Sequence, residues 1–209
     1  MQTTFGQNKT VAIKYDTSIS VYSGWFCATL SDSTKYKEKG FNIENEDFDI
    51  LKKNNKYYLQ KSVGHRQTDS MGNLIFHNHT FEEITLDSIP YLPITENQYR
   101  LLKKEYIKPF TFRYTNSANK TVQKESTESH PCIIHMKFSL KGNSFDKEIN
   151  IRNLEQSDTS QTTDNKTIIA TLDNINYEFN QKLLSIKIFQ YIMSLISKFD
   201  NENKFVLKH

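Results

Sequence analysis

Asn180 to Phe199 reads NQKLLSIKIFQYIMSLISKF, and this run decides the fold. Wound as an α-helix, it spreads Leu184, Ile186, Ile188, Phe189, Ile192, Met193, Leu195, Ile196 and Phe199 over well more than half the circumference. An ordinary surface helix carries an apolar stripe of roughly 100°. A wider arc has to be covered on two sides, so the remainder of the chain is expected to wrap around a helix at 180–199, capped by Asn180. Part of the arc is also a candidate for contact with a second chain, through Phe189, Met193 and Ile196.

Working outward, a second helix is expected at Ile94–Ile107. Thr95 caps it, Gln98 completes a capping box, and Ile94 with Tyr99 forms a hydrophobic staple. Tyr99, Leu102 and Tyr106 give it one apolar face, and Pro109 closes it. Cys132 to Leu140 alternates, with Ile134, Met136, Phe138 and Leu140 inward. The turn Lys141-Gly142-Asn143-Ser144 returns the chain through Lys147–Leu154 as a hairpin.

Further strands are expected at Thr10–Tyr15, Ser18–Leu30, Lys56–Val63, Leu74–Ile84, Thr167–Leu172 and Ile175–Phe179, where β-branched and aromatic residues concentrate. Asp32 to Asn55 reads as a charged loop with a short element at Phe48–Leu51. Strands, helix, strands, helix in that order predict an α+β fold: an antiparallel sheet packed on the C-terminal helix at 180–199, with the helix at 95–107 beside it. The expected organisation is a single domain over 1–209, with polar loop insertions at about 115–130 and 155–165.

With 209 residues the chain can bury a sizeable core, and 12% aromatics offset the low hydrophobic fraction of 36%. Twenty-seven basic against 24 acidic side chains leave a net charge of +3, too little to require a nucleic-acid or anionic-membrane partner. Cys27 and Cys132 stand far apart without CxxC spacing. They read as buried reduced thiols, which implies a cytoplasmic protein. No run is apolar enough to span a membrane. Asn-x-Thr sequons at Asn8, Asn78, Asn119 and Asn165 reflect an Asn-rich composition.

No motif fixes an activity, and no cofactor is implied. GxSxG, Walker A, GxGxxG and HExxH are absent; Val11-Ala12-Ile13-Lys14 matches a kinase strand by chance, with no glycine-rich loop before it. Cys132 and His135 fall on opposite strand faces and make a poor thiol–imidazole pair. His65, His77 and His79 are candidate ligands for Zn²⁺ or another first-row metal, because His77 and His79 share a strand face. With an open coordination position, such a site would be that of a metal-dependent hydrolase. The acids Glu44, Glu46, Asp47 and Asp49 read as a solvated loop rather than a cation site, since the EF-hand offsets are missing.

Basic residues interleave with aromatics around Lys52, Lys53, Lys56 and Tyr57, and again from Lys103 to Tyr114 with Lys104 and Arg113 as candidates, a pattern suited to single-stranded nucleic acid. Missing catalytic motifs, many aromatics and long polar loops fit best a non-enzymatic protein–protein interaction or assembly module. Its expected partner is another protein, with self-association as one form.

Overall fold

The computed structural model describes residues 17–23, 27, 30, 43–116, 118–158, 161–163, 166–168 and 171–208. The strand expected at Thr10–Tyr15 lies outside them. The fold is α+β, built on a seven-stranded antiparallel sheet. Its members are β1 (Thr17–Ser23), β2 (Ile43–Lys53), β3 (Lys56–Thr68), β4 (Leu74–Thr80), β5 (Ile84–Leu86), β8 (Ile133–Leu140) and β9 (Asn143–Asn150). Across the sheet the order is β4-β3-β2-β1-β8-β9, with β5 also paired to β3.

Register carries the hydrophobic pattern across this sheet. Ile19 stands beside Ile50 and Phe138, and Val21 beside Phe48 and Met136, so one face is apolar over three strands. On it rests the C-terminal helix, here α3 (Leu184–Asn201). Ile186, Ile188, Phe189, Ile192 and Ile196 join a single buried cluster with the sheet and with Ile89, Ile94 and Leu102. That two-sided cover is what the wide apolar arc demands. Phe189 and Ile196 therefore sit inside this chain's own core, and Met193 is half-buried against it.

The start of that helix differs from expectation. A short α2 (Tyr177–Gln181) precedes it, where a strand at Ile175–Phe179 was expected, and α3 begins only at Leu184. Asn180 is not its cap. Buried, it accepts from the Lys108 amide and donates to the carbonyls of Lys108 and Asn153. The orphan amides of α3 are met from far away: Leu184 N–H and Ser185 N–H donate to the Glu105 carboxylate at 2.7 and 2.9 Å. A carboxylate at a helix N-terminus also meets the positive end of the helix dipole.

Glu105 is itself the C-cap of α1 (Glu96–Lys104), whose Thr95–Gln98 capping box is present as expected. Leu102 is its buried residue, whereas Tyr106 lies past the helix end and is exposed.

Three sequence expectations are corrected in the strands. β2 runs the whole way from Ile43 to Lys53 where a charged loop was expected. Glu46, Phe48 and Ile50 face inward and Asp47 and Asp49 face outward. The polar insertion after Thr115 is a hairpin, β6 (Thr111–Thr115) with β7 (Thr121–Glu125), packed through Phe110, Phe112 and Leu172. The second insertion holds short pairs, β10 (Ser157–Asp158) with β13 (Leu172–Asp173) and β11 (Gln161–Thr163) with β12 (Lys166–Ile168).

The cysteines are not thiols either. Cys27 and Cys132 form a disulfide that ties the chain beyond β1 to the start of β8. Their 105-residue separation hid a pairing that the β1–β8 ladder brings about. Among the described residues no helix is long and apolar enough to cross a membrane.

Candidate docking edge

β4 ends the sheet. It is reached from β3 by a turn that Asp69 organises. The Asp69 carboxylate accepts from the amides of Met71 and Asn73 at 2.9 and 2.8 Å and from the Asn73 side chain at 3.0 Å. Those bonds, that from the Asn73 side chain foremost, hold the Asp69 carboxyl below the usual carboxylate range. Gly72, at φ 84°, supplies the left-handed step.

Beyond this turn β4 pairs with β3 in unbroken register, Thr68 opposite Leu74 through Ser62 opposite Thr80. Backbone direction follows from the bonds at its end. Phe81 N–H donates inward to Lys61 C=O, while Thr80 C=O accepts outward from Lys208 N–H and Glu82 N–H donates outward to Val206 C=O. Strand alternation then turns the peptide groups of Leu74, Phe76 and Asn78 outward. Among the described residues no strand pairs with this edge between Leu74 and Asn78.

The side chains there are apolar and wet: Leu74 is 67%, Ile75 43% and Phe76 50% exposed. From Leu74 to Thr80 the strand has no Asp, Glu, Lys, Arg, Pro or Gly. Edge strands are ordinarily blunted by such residues, because an unguarded edge is a template for another strand. Phe76 is seated by Gly64 of β3. A Cβ on Gly64 would come within 2.5 Å of the Phe76 ring and 1.9 Å of the Asn45 amide oxygen, so only glycine leaves room.

The other face of β3 and β4 holds a buried polar cluster. Lys61 and Glu46 form an ion pair at 2.6 Å, both fully buried. The rings of Phe48, Phe81 and Phe205 surround the Lys61 ammonium at 4.9–5.4 Å, close enough for cation–π attraction. Phe205 comes from the C-terminal tail, which pairs Leu207 with Phe81 and closes over this cage.

Next along the same face the three candidate histidines do meet. His65 is buried, with its ring centroid 5.2 Å from His77 and 5.0 Å from His79, all near parallel. Burial, and then the charges of His79 and His77, hold the His65 imidazole below its ordinary value. Lone pairs of near-parallel rings do not aim at one point. Among the described residues no group of three or more His, Cys, Asp or Glu is arranged to hold a metal ion.

The basic–aromatic candidates are dispersed. Lys52, Lys53, Lys56 and Tyr57 occupy the β2–β3 hairpin end, Lys104 closes α1, and Arg113 lies on β6. Tyr57 packs against the core, with the Lys52 ammonium 6.0 Å from its ring.

On the outward sheet face Tyr22 stacks on His135 at 4.9 Å. Asp47 and Asp49 are pushed up chiefly by burial. The charge of Asp49 adds to the effect at Asp47, and a Ser20 hydrogen bond opposes it at Asp49. The β4 edge was readable as a strand, but not as the end of a sheet. Its one signal is seven residues without a formal charge. No family model matches the chain, nor does any curated protein or solved structure.

Proposed function

We propose that the protein is a non-enzymatic interaction and assembly module that accepts an extended segment of a protein chain as a further strand on β4. The observation that carries this reading is the uncharged edge Leu74–Asn78, whose outward peptide groups stand beside exposed Leu74, Ile75 and Phe76. Strand addition draws affinity from main-chain hydrogen bonds and specificity from alternate side chains, and this edge offers both. The test is affinity capture from nuclease-treated host lysate with wild type and Phe76→Lys side by side. A stoichiometric partner held by wild type and lost with Phe76→Lys is expected; a partner held equally by both overturns the assignment of β4.

A nucleic-acid role rests on a single observation, the cluster of Lys52, Lys53 and Lys56 around the tight turn at Asn54 and Asn55, both with positive φ. Binding that falls steeply with salt, and that is lost on changing these lysines, would support it.

Location turns on the cysteines. A cytoplasmic location follows from reduced thiols, whereas a Cys27–Cys132 disulfide supports an oxidising compartment. Thiol labelling of the protein in its native host, before and after reduction, separates the two.

A further inference from the structure

We infer that the strand taken up by β4 is the β4 of a second copy of this chain, paired antiparallel about a two-fold axis at Phe76. The inference rests on the docking reading above and names its partner. Three observations lead to it.

The first is backbone phase. Outward peptide groups belong to Leu74, Phe76 and Asn78, as the Thr80 and Glu82 bonds to the tail establish by alternation. An antiparallel pair exchanges both hydrogen bonds only between residues whose groups face each other. A two-fold axis at Phe76 sets Phe76 against its own copy and Leu74 against Asn78, so every outward group from 74 to 78 is used. An axis at His77 would instead require Thr80, whose carbonyl already accepts from Lys208.

The second is side-chain matching. In this register Phe76 meets Phe76 on one face and Ile75 meets His77 on the other. Aromatic pairs across strands are among the favourable ones. The exposed Phe76 thus covers its own copy at the axis, with Leu74 opposite Asn78, in a self-complementary two-fold contact.

Charge is the third. Like charges directly opposite destabilise a strand pair. A two-fold axis at Phe76 sets the residues of β4 against one another, and β4 carries no formal charge between Leu74 and Thr80.

The experiment is sedimentation velocity on the full chain over a wide concentration range, with wild type, Phe76→Lys, and Leu101→Lys as a control at another exposed apolar residue. Circular dichroism checks that each is folded. A wild-type dimer kept by Leu101→Lys and weakened roughly 100-fold or more by Phe76→Lys is expected, since a central anchor is lost from both copies. A wild type that stays monomeric overturns the second copy as partner. The docking reading is then judged apart, with a labelled peptide of alternating valine and threonine as the probe. Peptide binding lost in Phe76→Lys keeps that reading, and no binding ends it. A dimer indifferent to Phe76→Lys overturns the pairing through β4, and the same peptide then decides the docking reading.

Discussion

At one end of the sheet β9 carries Asp146, Lys147 and Glu148 in consecutive positions, while at the other β4 carries no formal charge from Leu74 to Thr80. The β9 side is also fastened. Lys147 donates to the Glu105 carbonyl at 2.6 Å, Phe145 stacks on Phe138 and meets Tyr99 edge-on, and the Cys27–Cys132 disulfide anchors β8. The β4 side is held by a buried ion pair in a phenylalanine cage and by a short tail. The charged, fastened edge is a finished surface. Among the described residues no strand pairs with the uncharged one from Leu74 to Asn78, and the proposed docking is placed there for that reason.

The sharpest way to break the β4 side is to remove one half of its buried pair. Lys61→Ala is expected to cost about 3–5 kcal/mol, because Glu46 is left charged and buried. Glu46→Leu with Lys61→Met, which empties the site of charge, should recover most of that in urea denaturation. Single and double variants of equal stability would show that the pair is not what holds this half together.

On the fastened side, Cys132→Ser opens a loop of more than a hundred residues and should lower stability by about 2–4 kcal/mol. Hydrogen exchange should accelerate in β1 and β8 before β4. Uniform acceleration would contradict the division between the two ends.

A smaller effect distinguishes the β4 side by pH. His65 is held below its ordinary value, so the folded chain keeps it neutral while the unfolded chain takes up a proton as pH falls through about 6.5. The unfolded state then binds more protons. The stability is therefore complete above pH 6.5 and is lost on acidification towards the lower folded value, at up to about 1.4 kcal/mol per pH unit. Urea midpoints at pH 7.5 and 5.5 should differ more for wild type than for His65→Gln; equal differences would remove His65 from the account.

The smallest effect on stability is expected where the β9 edge is made to resemble β4. Asp146→Thr with Glu148→Thr should leave the melting temperature nearly unchanged yet produce new self-association by light scattering. If the stripped edge stays monomeric, charge is not what closes it.

Much of the fold was legible because local signals agreed with it. The capping box at Thr95 and Gln98, the Ile134–Phe138 alternation and the apolar arc of α3 each appear where periodicity puts them. Failures came where a partner distant in sequence overrides local chemistry. Glu46 at an inward position of β2 disguised that strand as a charged loop, because its satisfaction depends on Lys61 across the sheet. Asn180 looked like a cap, but its hydrogen-bonding capacity goes to Lys108 and Asn153, and Glu105 takes over at α3 from 79 residues upstream. The disulfide depends on the same kind of long-range registry. The three histidines were gathered as their spacing implied, with their rings near parallel rather than aimed at one point.

The tail's bond from Lys208 to Thr80 has a practical side. Anything joined after that residue is delivered to the threshold of the open edge. An affinity tag placed there would compete with the strand proposed to dock on β4. A small fluorophore at the same position would report arrival of a second strand by a change in its surroundings.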